Sequence, residues 1–285
     1  MCRLFGFRSV IPSQVHRSLL SADNALGTQS GRHPDGWGVA FYVDGAPHVT
    51  RSPTTALNCA LFHRVSGVVS SETVLAHVRK ATQGEPTILN CHPFQHGRFT
   101  FAHNGDIPSF GVHRERLLEA IAPRLRRFVL GDTDSEVVFF LFLTHLAEVT
   151  PLTVTPSAAD LSRAIIRAVN DVRAICDGSN EKDRALLTIL VTDGVTMAAH
   201  QGGKELFYST YKTRCADRDT CESLSPSCEA ASDGRPVNHL VFSSEPILGE
   251  NVWLPLEEGE IIAVDARMKL VRGSSVRHTL AVVAE

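Results

Sequence analysis

The 285-residue chain contains 43% hydrophobic and 21% charged residues, a balance that is ordinary for a globular protein with a substantial core. A formal net charge of −3 excludes a strongly basic surface for nucleic acid or anionic membrane. The longest apolar run, at 137–143, is too short to cross a membrane, and the N-terminus lacks the pattern of an export signal. We therefore expect no nucleic-acid or membrane partner and, with seven cysteines, a reducing cytoplasmic setting.

The first half of the chain alternates β-like runs with turns. Three segments rich in β-branched and aromatic residues predict strands, at 36–43, 73–78 and 98–103. Gly36 and Gly38 flank Trp37 at the start of the first of these, where glycines often permit a close backbone approach. The Asn104–Gly105 pair after the third run is typical of a type I′ hairpin turn.

Three helices are predicted next. The segment 113–128 has helical periodicity with a break at Pro123. The segment 133–149 begins with Thr133 and Glu136 at capping-box spacing, and its nearly all-round apolar surface predicts burial between layers. The segment 157–176 repeats apolar residues on one helix face.

The tail returns to strand patterns, and the order of strands, helices and strands indicates an α+β fold with sheets stacked against helices. The predicted tail strands are 185–193, 195–201, 205–210, 239–244, 260–265 and 278–284.

Cys2 follows the initiator methionine, whose cleavage is favoured by a small second residue. A cysteine in this position is most often only a small residue. After cleavage, however, its thiol and a free α-amine would belong to one residue, which is the arrangement of a nucleophile with its own base. The amine has an ordinary pKa of about 7.7–8.0 and the thiol about 8.5.

Three further motifs carry polar groups suited to a substrate pocket. Asn104 and Gly105 could supply an amide and a bare backbone N–H to an oxyanion. Arg79, near a strand end and followed by Thr82, could clamp a carboxylate. Asp134, in a helix-capping segment, could bind an ammonium group. Each motif also has a purely structural interpretation. Asn104–Gly105 could be only a turn, Arg79 a solvated surface charge, and the Asp134 segment a helix cap.

A metal site is not predicted, and neither is a cofactor. His77, His92 and His103 are spaced unlike any metal-ligand signature, and the phosphate-loop and dinucleotide motifs are absent. Cys215, Cys221 and Cys228 lie in a polar loop at about 212–236, with gaps of five and six residues rather than C-x-x-C pairs. A structural metal or a disulfide there stays open, but a mobile surface loop is favoured.

Taken in order, Cys2, RKAT with a downstream HPF, HNG and TDSE resemble the class II glutamine amidotransferases, which are N-terminal-nucleophile hydrolases. DGWGVAFY, LLTILVTDG and SEP followed by Trp253 resemble the stand-alone members, so the resemblance covers most of the chain. It implies one domain over 1–285 with a four-layer αββα sandwich.

The resemblance also implies roles for individual residues. Cys2 would be the nucleophile, and Asn104 with the N–H of Gly105 would form the oxyanion hole. Arg79, helped by Thr82, would bind the α-carboxylate of a glutaminyl substrate. Asp134 would bind the α-ammonium. Trp37, His77 and His92 are expected to line or support the pocket.

Three functions remain open at this point. The first is hydrolysis of glutamine or a γ-glutamyl small molecule, as in the stand-alone relatives of ergothioneine synthesis and glutathione breakdown. The second is a glutaminase subunit that supplies ammonia to a separate synthetase partner. The third is a non-catalytic sensor of γ-glutamyl ligands. The sequence does not identify the leaving group.

Overall fold

The computed structural model describes residues 2–178, 180–232 and 236–275. Its strands are β1 Arg3–Gln14, β2 Trp37–Val43, β3 Ala46–Ser52, β4 Ser70–Val78, β5 Phe94–His96, β6 Phe99–Asp106, β7 Leu186–Thr192, β8 Met197–His200, β9 Phe207–Ser209, β10 His239–Ser243, β11 Leu254–Pro255, β12 Glu260–Val264 and β13 Leu270–Ser274. Its α-helices are α1 Leu26–Gln29, α2 Ala60–Val68, α3 Phe110–Ala120, α4 Pro123–Arg126, α5 Asp134–Val149 and α6 Ala158–Cys176.

The strands form two antiparallel sheets. The first has the order β11-β9-β10-β1-β4-β2-β3, and the second has the order β13-β12-β8-β7-β6-β5. A core that includes Leu4, Leu75 and Leu190 lies between the sheets. The outer face of the second sheet packs on α3, α5 and α6, while that of the first packs on α2 through residues such as Trp37 and Phe62. The predicted four-layer αββα architecture is thereby confirmed.

Strand β1 was not predicted, although it is the longest strand and lies in the middle of its sheet. Leu4 faces the core between the sheets, whereas Phe5 and Phe7 face the helices. A strand that is buried on both faces has no alternation of polar and apolar residues, so its sequence carries no strand period. The strands predicted within the described residues are present, and the one predicted at 278–284 lies outside them.

The expected hairpin turn at Asn104–Gly105 is wrong. Both residues lie inside β6, which pairs with β7 as far as the Asp106–Leu186 pair. The pairing with β7 fixes an extended backbone here, so the local Asn-Gly preference for a turn is overridden. The chain leaves the sheet only after Asp106.

The predicted helices are confirmed with shifted boundaries. The first predicted helix is divided into α3 and α4, and α4 begins at Pro123. Helix α5 is buried over its first thirteen residues, as its apolar surface predicts. Its cap is half of a capping box: the hydroxyl of Thr133 accepts the N–H of Glu136, but Glu136 accepts the N–H groups of Leu130 and Gly131. Helix α6 has a complete box between Ser157 and Asp160.

The described part of the cysteine-containing loop between β9 and β10 is attached to its surroundings. Lys212 donates its N–H to Cys228 and forms a β-bridge with Asn251, and the Cys228 sulfur accepts the Asn238 amide at 2.9 Å. All seven cysteines are free. No helix in the described ranges is long and apolar enough to span a membrane.

Candidate active site

Four chain segments converge at one end of the strands of the two stacked sheets. Cys2 precedes β1, and Arg79 follows β4, whose end lies beside the start of β1 because the two strands are antiparallel. Asn104 and Gly105 lie near the end of β6 in the second sheet. Asp134 is the first residue of α5. The fold thereby brings residues that are 132 positions apart to one small pocket.

The thiol of Cys2 lies at the end of the two central strands β1 and β4 of the first sheet. Arg79 exchanges both of its backbone hydrogen bonds with Asp35 and Gly36, which continues the β4–β2 ladder. The backbone of Lys80 therefore faces the opposite side, where Cys2 Sγ lies 3.4 Å from both its nitrogen and its oxygen. Cys2 is 9% exposed, and burial raises the pKa of its thiol.

The guanidinium of Arg79 is buried at 3% exposure without a carboxylate partner among the described residues. It donates to the carbonyls of Gln83, Gly84 and Glu85 at 2.5, 3.0 and 3.3 Å. These three bonds fold the loop after β4 around the guanidinium. A buried cation that is satisfied only by neutral carbonyls has unused capacity for an anion.

Asp134 is the buried anion at the other side of the pocket. Its Oδ2 accepts the N–H of Ile107 at 2.9 Å, and its Oδ1 accepts the N–H of Ser135 at 2.7 Å. Burial raises the pKa of this carboxyl, while His103 and the two backbone donors act in the opposite direction. No positively charged side chain is within ion-pair distance of Asp134 in the described part of the chain, so a cationic ligand would complete its environment.

Gly105 presents its N–H to the pocket side of β6. Leu187, opposite Gly105, donates its own N–H to Gly202 on the far side of β7, so Gly105 and Leu187 are a non-hydrogen-bonded pair. The N–H of Gly105 therefore points away from β7. On that side β5 pairs with β6 only as far as Phe101, which leaves the Gly105 N–H without a strand partner.

Asn104 lies next to this free N–H and is 2% exposed. Its side chain shares a face of β6 with Ala102, which belongs to the core between the sheets. Its Oδ1 is buried without a hydrogen-bond partner among the described residues. An amide next to an unpaired backbone N–H is a pair of donors for an oxyanion.

Of the other predicted residues, Thr82 and His92 line the pocket, whereas His77 and Trp37 do not. The ring of His77 lies behind His92, with centroids 4.2 Å apart, and neither ring has a hydrogen-bond partner among the described residues. Burial lowers the pKa of His77 to about 3 and that of His92 well below its ordinary value. Trp37 packs edge-on against Phe62 in the helix-facing core.

Five pocket residues were not predicted as site residues from the sequence: Lys80, Gln83, His103, Thr133 and Ser135. Gln83 donates from Nε2 to Asp106 at 3.2 Å. His103 precedes Asn104 and Ser135 follows Asp134, so each lies inside a motif that was already chosen. Their position next to those motifs could have suggested that they belong to the site, but nothing in the sequence indicates that the side chains of His103 and Ser135 meet.

A metal centre finds no support in the described ranges, which contain no group of three or more His, Cys, Asp or Glu side chains arranged to hold an ion. His103 is engaged with Ser135 and Leu186 rather than with His77 or His92. The pocket itself therefore offers a thiol, two oriented charges and the N–H of Gly105, while Asn104 lies next to Gly105 but is not one of the lining residues.

Comparison with known proteins identifies the family. A sequence model of the class-II glutamine amidotransferases matches residues 1–278. The chain is 30% identical to the probable glutamine amidotransferase DUG3 of Saccharomyces cerevisiae, over 93% of this chain and 79% of DUG3. It is 40% identical over 72 residues to the gamma-glutamyl-hercynylcysteine sulfoxide hydrolase of Mycobacterium tuberculosis, which covers 25% of this chain and 31% of that protein.

A solved structure supports the fold. The glutamine aminotransferase class-II domain protein of Silicibacter pomeroyi superposes with a TM-score of 0.61 at 21% identity, over 96% of this chain and 99% of that one. The protein is therefore a member of the class II glutamine amidotransferase family, with the N-terminal-nucleophile hydrolase fold.

Proposed function

We propose that the protein hydrolyses the γ-glutamyl amide bond of a small molecule through a thioester on Cys2. The observation that carries this proposal is the pairing of a buried thiol with Arg79 and Asp134 in one pocket. The free α-carboxylate and α-ammonium of a γ-glutamyl group match the two charges. A simple amide would leave both buried charges unpaired and would be rejected.

Activation of the thiol depends on the removal of Met1. Burial raises the pKa of the Cys2 thiol, so a base is needed to generate the thiolate. The α-amine of an N-terminal Cys2 would have a pKa of about 7.7–8.0, close to the operating pH that suits a general base. His77 and His92 are poor candidates for this task, because their burial without partners leaves them neutral and weakly basic.

The proposed reaction has two steps. The α-amine accepts the thiol proton, the sulfur bonds to the carbonyl carbon of the γ-amide, and the C=O bond opens to an oxyanion that Asn104 Nδ2 and the N–H of Gly105 stabilise. The carbon–nitrogen bond then breaks, and the leaving amine takes the proton. In the second step, water attacks the thioester, releases glutamate and restores the thiol.

The substrate class is proposed from the pocket and from one relative. The pocket defines a glutamyl group and leaves the amine side of the amide unspecified. The similar mycobacterial enzyme is named for hydrolysis of a γ-glutamyl compound larger than glutamine. We therefore favour a γ-glutamyl amide with a small-molecule leaving group, acted on by the isolated protein in the cytoplasm, over ammonia supply to a partner synthetase.

The test combines mass spectrometry with kinetics. We expect the purified protein to lack Met1 and to gain one adduct on Cys2 from 6-diazo-5-oxo-norleucine, an electrophilic glutamine analogue. We expect Cys2→Ala to remove both the adduct and turnover of γ-glutamyl substrates, while the matched variant Cys59→Ala retains both. Turnover by Cys2→Ala would refute the nucleophile. Stimulation by a cellular partner would favour the glutaminase subunit, and ligand binding without an adduct would favour a sensor.

A further inference from the structure

A chain of three hydrogen bonds connects Asp134 to strand β7 through side chains that the proposed reaction does not use. Asp134 Oδ1 is 3.2 Å from the hydroxyl of Ser135, which is 2.8 Å from His103 Nδ1. His103 Nε2 is 2.9 Å from the carbonyl oxygen of Leu186. All three side chains are nearly inaccessible, at 2%, 6% and 1% exposure for Asp134, Ser135 and His103.

The direction of the last hydrogen bond is fixed by chemistry. A carbonyl oxygen can only accept, so His103 Nε2 carries a hydrogen and donates it to Leu186. In a neutral imidazole, Nδ1 is then a bare acceptor. The Ser135 hydroxyl therefore stands between two acceptors, Nδ1 on one side and the Asp134 carboxylate on the other, with one hydrogen to donate.

One additional proton gives every contact in the chain of hydrogen bonds its own hydrogen. If it resides on Nδ1, the imidazolium donates to the Ser135 oxygen and the hydroxyl donates to ionised Asp134. If it resides on Asp134, the acid donates to the hydroxyl and the hydroxyl donates to neutral His103. Without it, the single hydroxyl hydrogen serves only one of these two contacts, and the other contact pairs two acceptors with no hydrogen between them, which is unfavourable for groups buried this deeply.

We propose that the Asp134–Ser135–His103 chain holds this proton in the empty pocket and releases it to solvent when the α-ammonium of a glutamyl ligand binds to Asp134. The proposal rests on the proposed function for the identity of the ligand. Release follows because the ammonium supplies its own hydrogens and positive charge to the carboxylate. His103 and Ser135 are thus positioning residues that keep Asp134 compensated until the ligand replaces them.

The surrounding charged and titratable groups are consistent with a single stored proton. They are Cys2, Arg79, His77, His92, Asp106 and His200. The three histidines stay neutral near pH 7, because burial lowers the pKa of His77 to about 3, that of His200 to about 4 and that of His92 well below 6.5. The negative charge of Asp106 favours a proton on the Asp134–Ser135–His103 chain, and the positive charge of Arg79 disfavours a second proton there.

The experiment is calorimetric titration of L-glutamine into a Cys2→Ala background, in which no turnover occurs. Titrations at pH 7 in phosphate and in Tris, which differ in ionisation enthalpy, give the number of protons released per ligand. We expect close to one proton for the parent and for an added Ser135→Thr, which keeps the hydroxyl. With Ser135→Ala we expect nearly none and a Kd weakened about tenfold, the size expected for one hydrogen bond to a charged group.

Ser157→Ala is the matched control, because Ser157 also hydrogen-bonds an aspartate at a helix start but lies on α6, outside the pocket. It should leave both the proton count and the Kd unchanged. No proton release by the parent, or unchanged release by Ser135→Ala, would overturn the proton chain even if the wild-type enzyme hydrolyses γ-glutamyl amides. Proton release without hydrolysis by the wild type would overturn only the reaction. No binding of glutamine would overturn the proton chain but not the reaction, whose favoured substrate carries a larger leaving group.

Discussion

Asn104 and Gly105 stand side by side in β6, and their contributions to the site differ in kind. Gly105 offers a backbone N–H, which only a substitution by proline would remove. Asn104 offers a side-chain amide whose oxygen is buried without a partner among the described residues. An unpaired buried oxygen reduces stability, which is consistent with the role in the reaction that we propose for Asn104.

Asn104→Ala is predicted to lower kcat by about 10²–10³-fold, the usual effect of losing one oxyanion donor, with a small change in KM. Steady-state kinetics on a γ-glutamyl substrate would measure both constants, and Asn58→Ala in an exposed loop is the control. A large rise in KM with kcat intact would instead place Asn104 in ground-state binding.

Gly105→Ala is predicted to abolish activity and to destabilise the protein. A Cβ at this position would lie 1.7 Å from the carbonyl oxygen of Leu186 and 2.3 Å from His103 Nε2, so β6 and β7 would have to separate. Gly111→Ala on α3 meets nothing within 4 Å and should stabilise by up to about 1 kcal/mol. Thermal unfolding of both variants checks the contrast, and a stable, active Gly105→Ala protein would contradict the tight approach.

At the level of elements, helix α5 joins the core to the site. Its apolar residues pack on the second sheet, with Phe139 and Phe142 stacked on Phe101 of β6. Its first residue is Asp134. The same packing that buries α5 therefore sets the distance between the carboxylate of Asp134 and the Asn104–Gly105 pair on β6.

Phe142→Ala is predicted to cost about 3–5 kcal/mol of unfolding free energy, because the residue is fully buried. Val149→Ala, at the exposed end of the same helix, should change stability by no more than about 0.5 kcal/mol. Denaturant unfolding would measure both. Equal effects would mean that α5 does not pack on the sheet as described.

Elements with a clear period were predictable from the sequence, and elements defined by their partners were not. Helices α5 and α6 follow from their apolar spacing and caps, and β4 and β7 follow from β-branched runs. Strand β1 is buried on both faces and so lacks a period. The Asn104–Gly105 pair has a strong local preference for a turn that pairing with β7 overrides.

At the level of the whole molecule, several histidines are folded into the interior in neutral form. Burial lowers the pKa of His77 to about 3 and those of His200 and His239 to about 4, against an ordinary value of 6.5. The unfolded chain binds protons at these sites at a higher pH than the native protein does. Stability is therefore lost as pH falls from about 6.5 towards these values.

His239→Asn is predicted to reduce this acid sensitivity. Its ring Nε2 has no hydrogen-bond partner among the described residues, and β10 places it opposite Ser9, far along β1 from Cys2. Between pH 6 and pH 4.5 the slope of unfolding free energy against pH should decrease by about 1.4 kcal/mol per pH unit. Urea unfolding at several pH values tests this, and parallel wild-type and variant curves would contradict it.

The residues of the site were predictable as separate motifs, and their meeting in one pocket was predicted only through the family resemblance. Cys2, Arg79, Asn104 and Asp134 stand out because each is a chemically capable group in a characteristic short pattern. Ser135 and His103 have ordinary local sequences, and their connection exists only because α5 docks against β6. Long-range pairing of this kind leaves no local pattern in one sequence.

The central position of β1 has a consequence for synthesis. Its neighbours β4 and β10 are made later, and β10 begins only at His239. At about 5–20 residues per second, the ribosome needs on the order of ten seconds or more to deliver β10 after β1. Throughout that interval the β10 side of β1 is unpaired, so the first sheet next to Cys2 is incomplete. If Met1 is removed as proposed above, this interval gives a ribosome-associated aminopeptidase time to act before the first sheet is complete beside Cys2.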